Sequence, residues 1–163
     1  MATVVPRPLD WISRAPVRAH GAATSTAPPG AVFAVLADHA GWVEWFPNVK
    51  RVDVLGPAAG VGARRRVRIP MVTVEEEFIA WEPGVRWTFT ATSTSPSWTR
   101  SLVEDCQLTA RPDGGTDIDY TMYFDPVGPI GWMVKHSVGR IGAAIQQGMQ
   151  NLAARAENPP ADR

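Results

Sequence analysis

Between residues 49 and 125 the chain alternates apolar and polar positions with a period of two, as strands with one face toward a core do. "VRWTFTATS" (85–93) sets Val85, Trp87, Phe89 and Ala91 against Arg86, Thr88, Thr90 and Thr92. "ARRRVRIPMV" (63–72) sets Arg65, Val67, Ile69 and Met71 against Arg64, Arg66 and Arg68, and "TDIDYTMYFD" (116–125) turns Ile118, Tyr120, Met122 and Phe124 inward. Breaks rich in Gly, Pro and Asp separate these runs, so six strands in an antiparallel meander are expected, preceded by a weaker strand within 14–25. After that first strand, "TAPPGAVFAVLAD" enters a helix at Pro28 and Pro29, and "HAGWVEWFPN" forms a second short one stopped by Pro47. At the far end Val134, Val138, Ile141, Ile145, Met149, Leu152 and Ala156 recur at steps of three and four, which predicts one long amphipathic helix starting near Pro129. Residues 1–13 read as a loosely held tail, 14–157 as a single domain and 158–163 as a C-terminal tail.

Composition narrows the function. The 163 residues carry 16 basic and 16 acidic side chains, without the basic excess of a general nucleic-acid binder. A single cysteine, Cys106, leaves no internal disulfide, and His20, His39 and His136 lack ligand spacing, so no metal site is expected. No run approaches a membrane span and no secretory signal is visible, which reads as a soluble, cytoplasmic protein without an integral membrane segment. Nucleophile-elbow, zinc-protease and phosphate-loop motifs are absent, and no cofactor is implied. Seven tryptophans suit either a dense core or a cavity wall for an apolar ligand.

The apolar faces carry charges that do not belong in a dry core. By parity Arg65 falls with Val67 and Ile69, and Glu76 with Val74, Phe78 and Ala80. Arg100 and Glu104 fall with Trp98, Leu102 and Cys106. An unpaired buried ion costs several kcal/mol, so these groups must pair with each other or face a wet cavity, unless a β-bulge turns one of them outward. In a cavity, arginine would grip a carboxylate, phosphate or enolate oxygen with its planar fork, and glutamate would hold a proton at a raised pKa. His136 and Arg140, four apart on the last helix, read as solvated surface more readily than as an anion-binding pair. The "RRRVR" stripe is expected to be neutralised across strands by Glu75 and Glu77.

The order of elements, with "APPGAVFAVLAD" (27–38), "WVEWFPNVKRVDVL" (42–55), "EEEFIAWEPGVRWTF" (75–89) and "GMQNLAARAE" (148–157), resembles the START-like, helix-grip superfamily, in particular its polyketide cyclase/dehydrase and lipid transport members. That resemblance implies an α+β fold in which a curved antiparallel sheet of about seven strands wraps a long C-terminal helix over an elongated hydrophobic pocket. It brings no universal catalytic motif. The implied function is binding of a hydrophobic small molecule: a lipid, an isoprenoid or a polyketide-like compound. Arg65, Glu76, Trp87, Phe89, Trp98, Arg100, Leu102, Glu104, Tyr120, Met122, Met133 and Ile141 are the expected lining. The alternative is a cyclase, aromatase or dehydratase in which Arg65 or Arg100 stabilises an enolate and Glu76, Glu104, Tyr120 or His136 moves protons. A regulatory or interaction module with a collapsed pocket is the third reading.

Overall fold

A computed structural model describes residues 1–159; the last four residues of the expected C-terminal tail lie outside them. The strands are β1 (Ala2–Thr3), β2 (Val17–Ser25), β3 (Arg51–Val54), β4 (Arg64–Ile69), β5 (Val72–Glu82), β6 (Arg86–Ser95), β7 (Thr99–Ala110) and β8 (Thr116–Pro126). The α-helices are α1 (Pro29–Ala37), α2 (Trp42–Trp45), α3 (Gly128–His136) and α4 (Val138–Glu157), with a 3-10 turn at Leu9–Arg14. The strands form one antiparallel sheet in the order β2-β8-β7-β6-β5-β4-β3, with β1 added against β6. α4 lies along β2 and reaches β8, and α1 packs between α4 and β7. Beneath them the core joins Val32, Phe33 and Leu36 of α1 to Ile145, Met149 and Leu152 of α4 and to Leu108, Ile118 and Tyr120 of the sheet.

The seat of α4 is set by β2. A Cβ on Gly21 would lie 2.5 Å from the Gln146 backbone nitrogen, so only glycine lets helix and strand approach this closely. The Gln146 side chain then accepts from the Ala22 N–H at 3.0 Å and donates to the Ala22 carbonyl at 2.7 Å. One amide thereby imitates a further strand and blocks part of the open edge of β2.

Three expectations need correction. The N-terminal segment is docked: Ala2 and Thr3 pair with Thr94 and Ser93, the Val4 N–H reaches Thr92 on β6, and the Val5 N–H reaches Arg100 on β7. It wedges into the gap where β6 and β7 part, and its apolar anchors Val4 and Trp11 are buried. The long terminal helix is present but starts at Val138 rather than near Pro129, where a separate helix, α3, stands. The two meet at Ser137, whose N–H bonds the carbonyls of Met133 and Val134. Finally, Val85, Ile69 and Met71 are exposed rather than inward, because all three stand at or beside strand ends where nothing covers them.

Candidate functional site

The concave face of the sheet is organised in cross-strand rows. Arg65 on β4 stands opposite Glu76 on β5, and Glu76 opposite Ala91 on β6. The next row runs Phe78, Phe89, Glu104, Met122 and Ala19 across β5, β6, β7, β8 and β2. The row after it carries Trp87, Cys106 and Tyr120 and ends at Gly21 under α4. Pleat alone puts these side chains on one surface.

Arg65 is 1% exposed. Its Nε donates to Glu76 Oε2 at 2.6 Å, and its Nη1 lies 3.5 Å from Nδ1 of His39. Four rings surround the guanidinium carbon: Trp42 at 4.1 Å, Trp87 at 4.7 Å, Phe89 at 5.2 Å and Phe78 at 5.5 Å. An ion pair, a near-contact imidazole and aromatic faces together replace the water that a buried cation loses. Burial pushes the Glu76 carboxyl above the usual carboxylate range, against the charge and hydrogen bond of Arg65. His39 is depressed by burial and then by Arg65, and its Nε2 pairs with the Ala58 carbonyl at 2.8 Å. With Nε2 carrying the proton for that bond, Nδ1 is left as the acceptor facing Arg65.

Glu104 is the second polar centre. It accepts a hydrogen bond from the Tyr120 hydroxyl. Burial and then the nearby Glu76 charge raise its pKa to about 7, while Tyr120 and Arg65 pull the other way. Burial and the Glu104 charge hold the Tyr120 phenol well above its usual value, so it remains a donor. Unlike Glu76, Glu104 is only half-covered, as is its neighbour Met122. Phe89 and Met122 flank Glu104 across the sheet, and Leu102 and Cys106 flank it along β7.

Of the expected lining, Arg65, Glu76, Trp87, Phe89, Trp98, Leu102, Glu104, Tyr120 and Met122 do face this interior, and Ile141 of α4 packs, partly buried, against the core. Arg100 does not. A register shift between Thr99 and Ser101 turns it outward, where it is 61% exposed and pairs with Asp125 at 3.1 Å. Met133 is 60% exposed on α3. A second bulge, at Ile79, brings Trp81 inward against Phe33 and Phe78 in place of Ala80. The outward "RRRVR" charges meet Glu75 as expected, with Arg66 donating two bonds to it at 2.6 and 3.0 Å. Reading by strand parity missed His39 and Trp42, which reach the ion pair from the α1–α2 connection and from α2 and carry no period-two signal.

Rings fill much of the space expected to form an elongated pocket: Trp42, Trp45, Phe46 and Trp87 stack or tilt against one another at 4.6–5.6 Å. Two clefts, of about 330 and about 270 Å³, lie instead on the outside, one between β2 and α4 and one between the start of β2 and α3. The indole N–H groups of Trp45, Trp87 and Trp98 are buried without a protein acceptor.

A curved antiparallel sheet gripping a C-terminal helix defines the helix-grip, START-like class. The chain belongs to the family described as polyketide cyclase / dehydrase and lipid transport, whose pattern matches residues 16–157. It is 34% identical over 103 residues to uncharacterised proteins of Mycobacterium bovis and Mycobacterium tuberculosis, a match spanning 62% of this chain and 61% of theirs. Among solved structures, a Thermus thermophilus protein superposes with a TM-score of 0.73 at 18% identity, covering 89% of this chain and 100% of that one. The Zhui aromatase/cyclase of a Streptomyces species gives 0.70 at 14%, covering 86% and 93%. A START superfamily protein of Mycobacterium smegmatis gives 0.69 at 10%, covering 85% and 97%. Identities this low establish shared architecture only. Among the described residues no helix is long and apolar enough to cross a membrane.

Proposed function

We propose that this protein binds a hydrophobic small molecule carrying at least one hydrogen-bonding oxygen, with the lipid, isoprenoid and polyketide-like classes as the natural candidates. The observation that supports this best is the incomplete cover over Glu104 and Met122. Both stand mid-strand on the concave face, yet both are only half-buried. Phe89, Leu102, Cys106 and Met122 flank Glu104, which suits an apolar guest body, and Glu104 can donate or accept at its polar end according to its protonation. Native mass spectrometry of the full chain with added long-chain fatty acid tests this reading. One-to-one uptake is expected; no adduct with any apolar probe would leave the collapsed, interaction-module reading.

A catalytic reading has one observation in its favour. Glu104, with a pKa of about 7, is bonded to Tyr120 and within electrostatic reach of Arg65 and Glu76. Such a pair can pass a proton to or from a substrate oxygen or the carbon beside a carbonyl. Arg65 is less free for that work, because Glu76 already holds its Nε. If the chemistry exists, Glu104→Gln abolishes turnover of a polyketide-type substrate while leaving its binding in place.

A further inference from the structure

We propose that the end of the sheet formed by the β4–β5 hairpin tip and α3 is a docking surface for an anionic lipid bilayer. The topology brings these pieces to one end. Thr73, beside the tip, pairs with Ser95, where the β6–β7 connection begins. That connection leads to Trp98, whose carbonyl accepts the N–H of Val127 at the entry to α3.

This end carries large apolar side chains in water. Met71 is 94% exposed at the hairpin tip, with Ile69 beside it, and Trp132 is 62% exposed on α3 with Met133 and Ile130. Met71 holds a positive φ of 65°, a conformation that L residues adopt rarely and that a tight turn imposes, so the hairpin presents that side chain at its apex. Isolated exposed apolar residues are ordinary; several gathered on two projecting elements at one end are not.

Charge selects the partner. No acidic residue occurs from Pro126 to Ala156, whereas Lys135 and Arg140 flank the apolar residues of α3. On the other side Lys50 and Arg68, both exposed and joined through their backbones, stand next to Ile69. Between Arg64 and Val74 there is no acidic residue either. Asp125 also lines the cleft beside Trp132 and Lys135 but is paired with Arg100; apolar tips set among the remaining cations match the acyl region and the phosphate headgroups of an anionic bilayer, including the amphipathic place of tryptophan at the interface. A protein partner would require a complementary apolar hollow with acidic rims; a bilayer supplies both features everywhere on its surface.

The surface stands independently of the guest proposed above.

Co-sedimentation of the full chain with vesicles tests the surface, comparing pure phosphatidylcholine with an equal mixture of phosphatidylcholine and phosphatidylglycerol. Pelleting with the mixed vesicles alone is expected, weakening as salt rises, and falling roughly tenfold in Met71→Ser/Trp132→Ser. Circular dichroism confirms that this double variant folds, as substitutions at exposed sites should. No pelleting with anionic vesicles overturns the proposal, as does pelleting that the double variant leaves unchanged. Self-association abolished by the variant, without vesicle binding, identifies the face as a contact between copies and also overturns it. Vesicle binding with no uptake of fatty acid removes the proposed guest and leaves the docking surface; uptake without vesicle binding does the reverse.

Discussion

At the scale of single residues, the account turns on two carboxylates with different company. Glu76 has a cation at hydrogen-bond distance, whereas Glu104 has a phenol and a like-charged neighbour. Its folded pKa is raised from 4.5 to about 7, so between those values the folded protein holds a proton that the unfolded chain releases. That contribution is complete below the unfolded value and is lost as pH rises through the folded one; it amounts to about 3 kcal/mol. His39 works in the opposite sense, since its depressed pKa adds stability as pH rises toward 6.5. Glu76, raised by burial, adds to the Glu104 trend. The informative quantity is therefore the difference between wild type and Glu104→Gln in urea unfolding. Wild type is expected to lose stability relative to the variant from about pH 5 to about pH 8; a flat difference would show that Glu104 ionises as freely folded as unfolded. Arg65→Met should cost about 3 kcal/mol or more by leaving Glu76 buried and unpaired, and Arg65→Met/Glu76→Met should recover much of it. Equal losses from both variants would mean that the guanidinium is held by its rings rather than by the carboxylate.

At the scale of elements, the junction of α4 with β2 sets how far the helix closes over the sheet. Gly21→Ala places a methyl group against the Gln146 backbone and is expected to lower stability by about 1–3 kcal/mol in denaturant titrations. Gly139→Ala, with nothing within 4 Å of the added carbon, should be neutral or gain up to about 1 kcal/mol in helix propensity. Similar losses in both would show that the close approach at Gly21 is not what seats the helix. The same elements show what the chain discloses before it folds. Period-two alternation located β4 to β8 and aimed Arg65, Glu76 and Glu104 inward, because a regular pleat fixes parity. It failed at Arg100, and at Ala80 where Trp81 took the inward place, since each bulge adds one residue that no local pattern announces. β1 is two residues long, too short for any period, and the break at Ser137 sits inside an apolar stripe that continues across it. The contribution of His39 depends on a tertiary approach and left no trace in local sequence.

At the scale of the whole molecule, the inner face of the sheet has two parts. Much of it is packed with aromatic rings around the Arg65–Glu76 ion pair, whereas Glu104 and Met122, side by side on β7 and β8, are less completely buried. The guest we propose would sit at the second part. This division fits a family whose description joins cyclisation or dehydration chemistry with lipid transport, since both begin by taking an apolar molecule out of water. The most direct measurement is a binding titration of a fluorescent fatty acid with wild type and with Met122→Trp, a change that adds bulk directly across from Glu104. The account predicts saturable one-to-one binding by wild type and at least a tenfold loss in a folded Met122→Trp protein. Equal affinity in the two proteins, or no saturable binding by wild type, would contradict it.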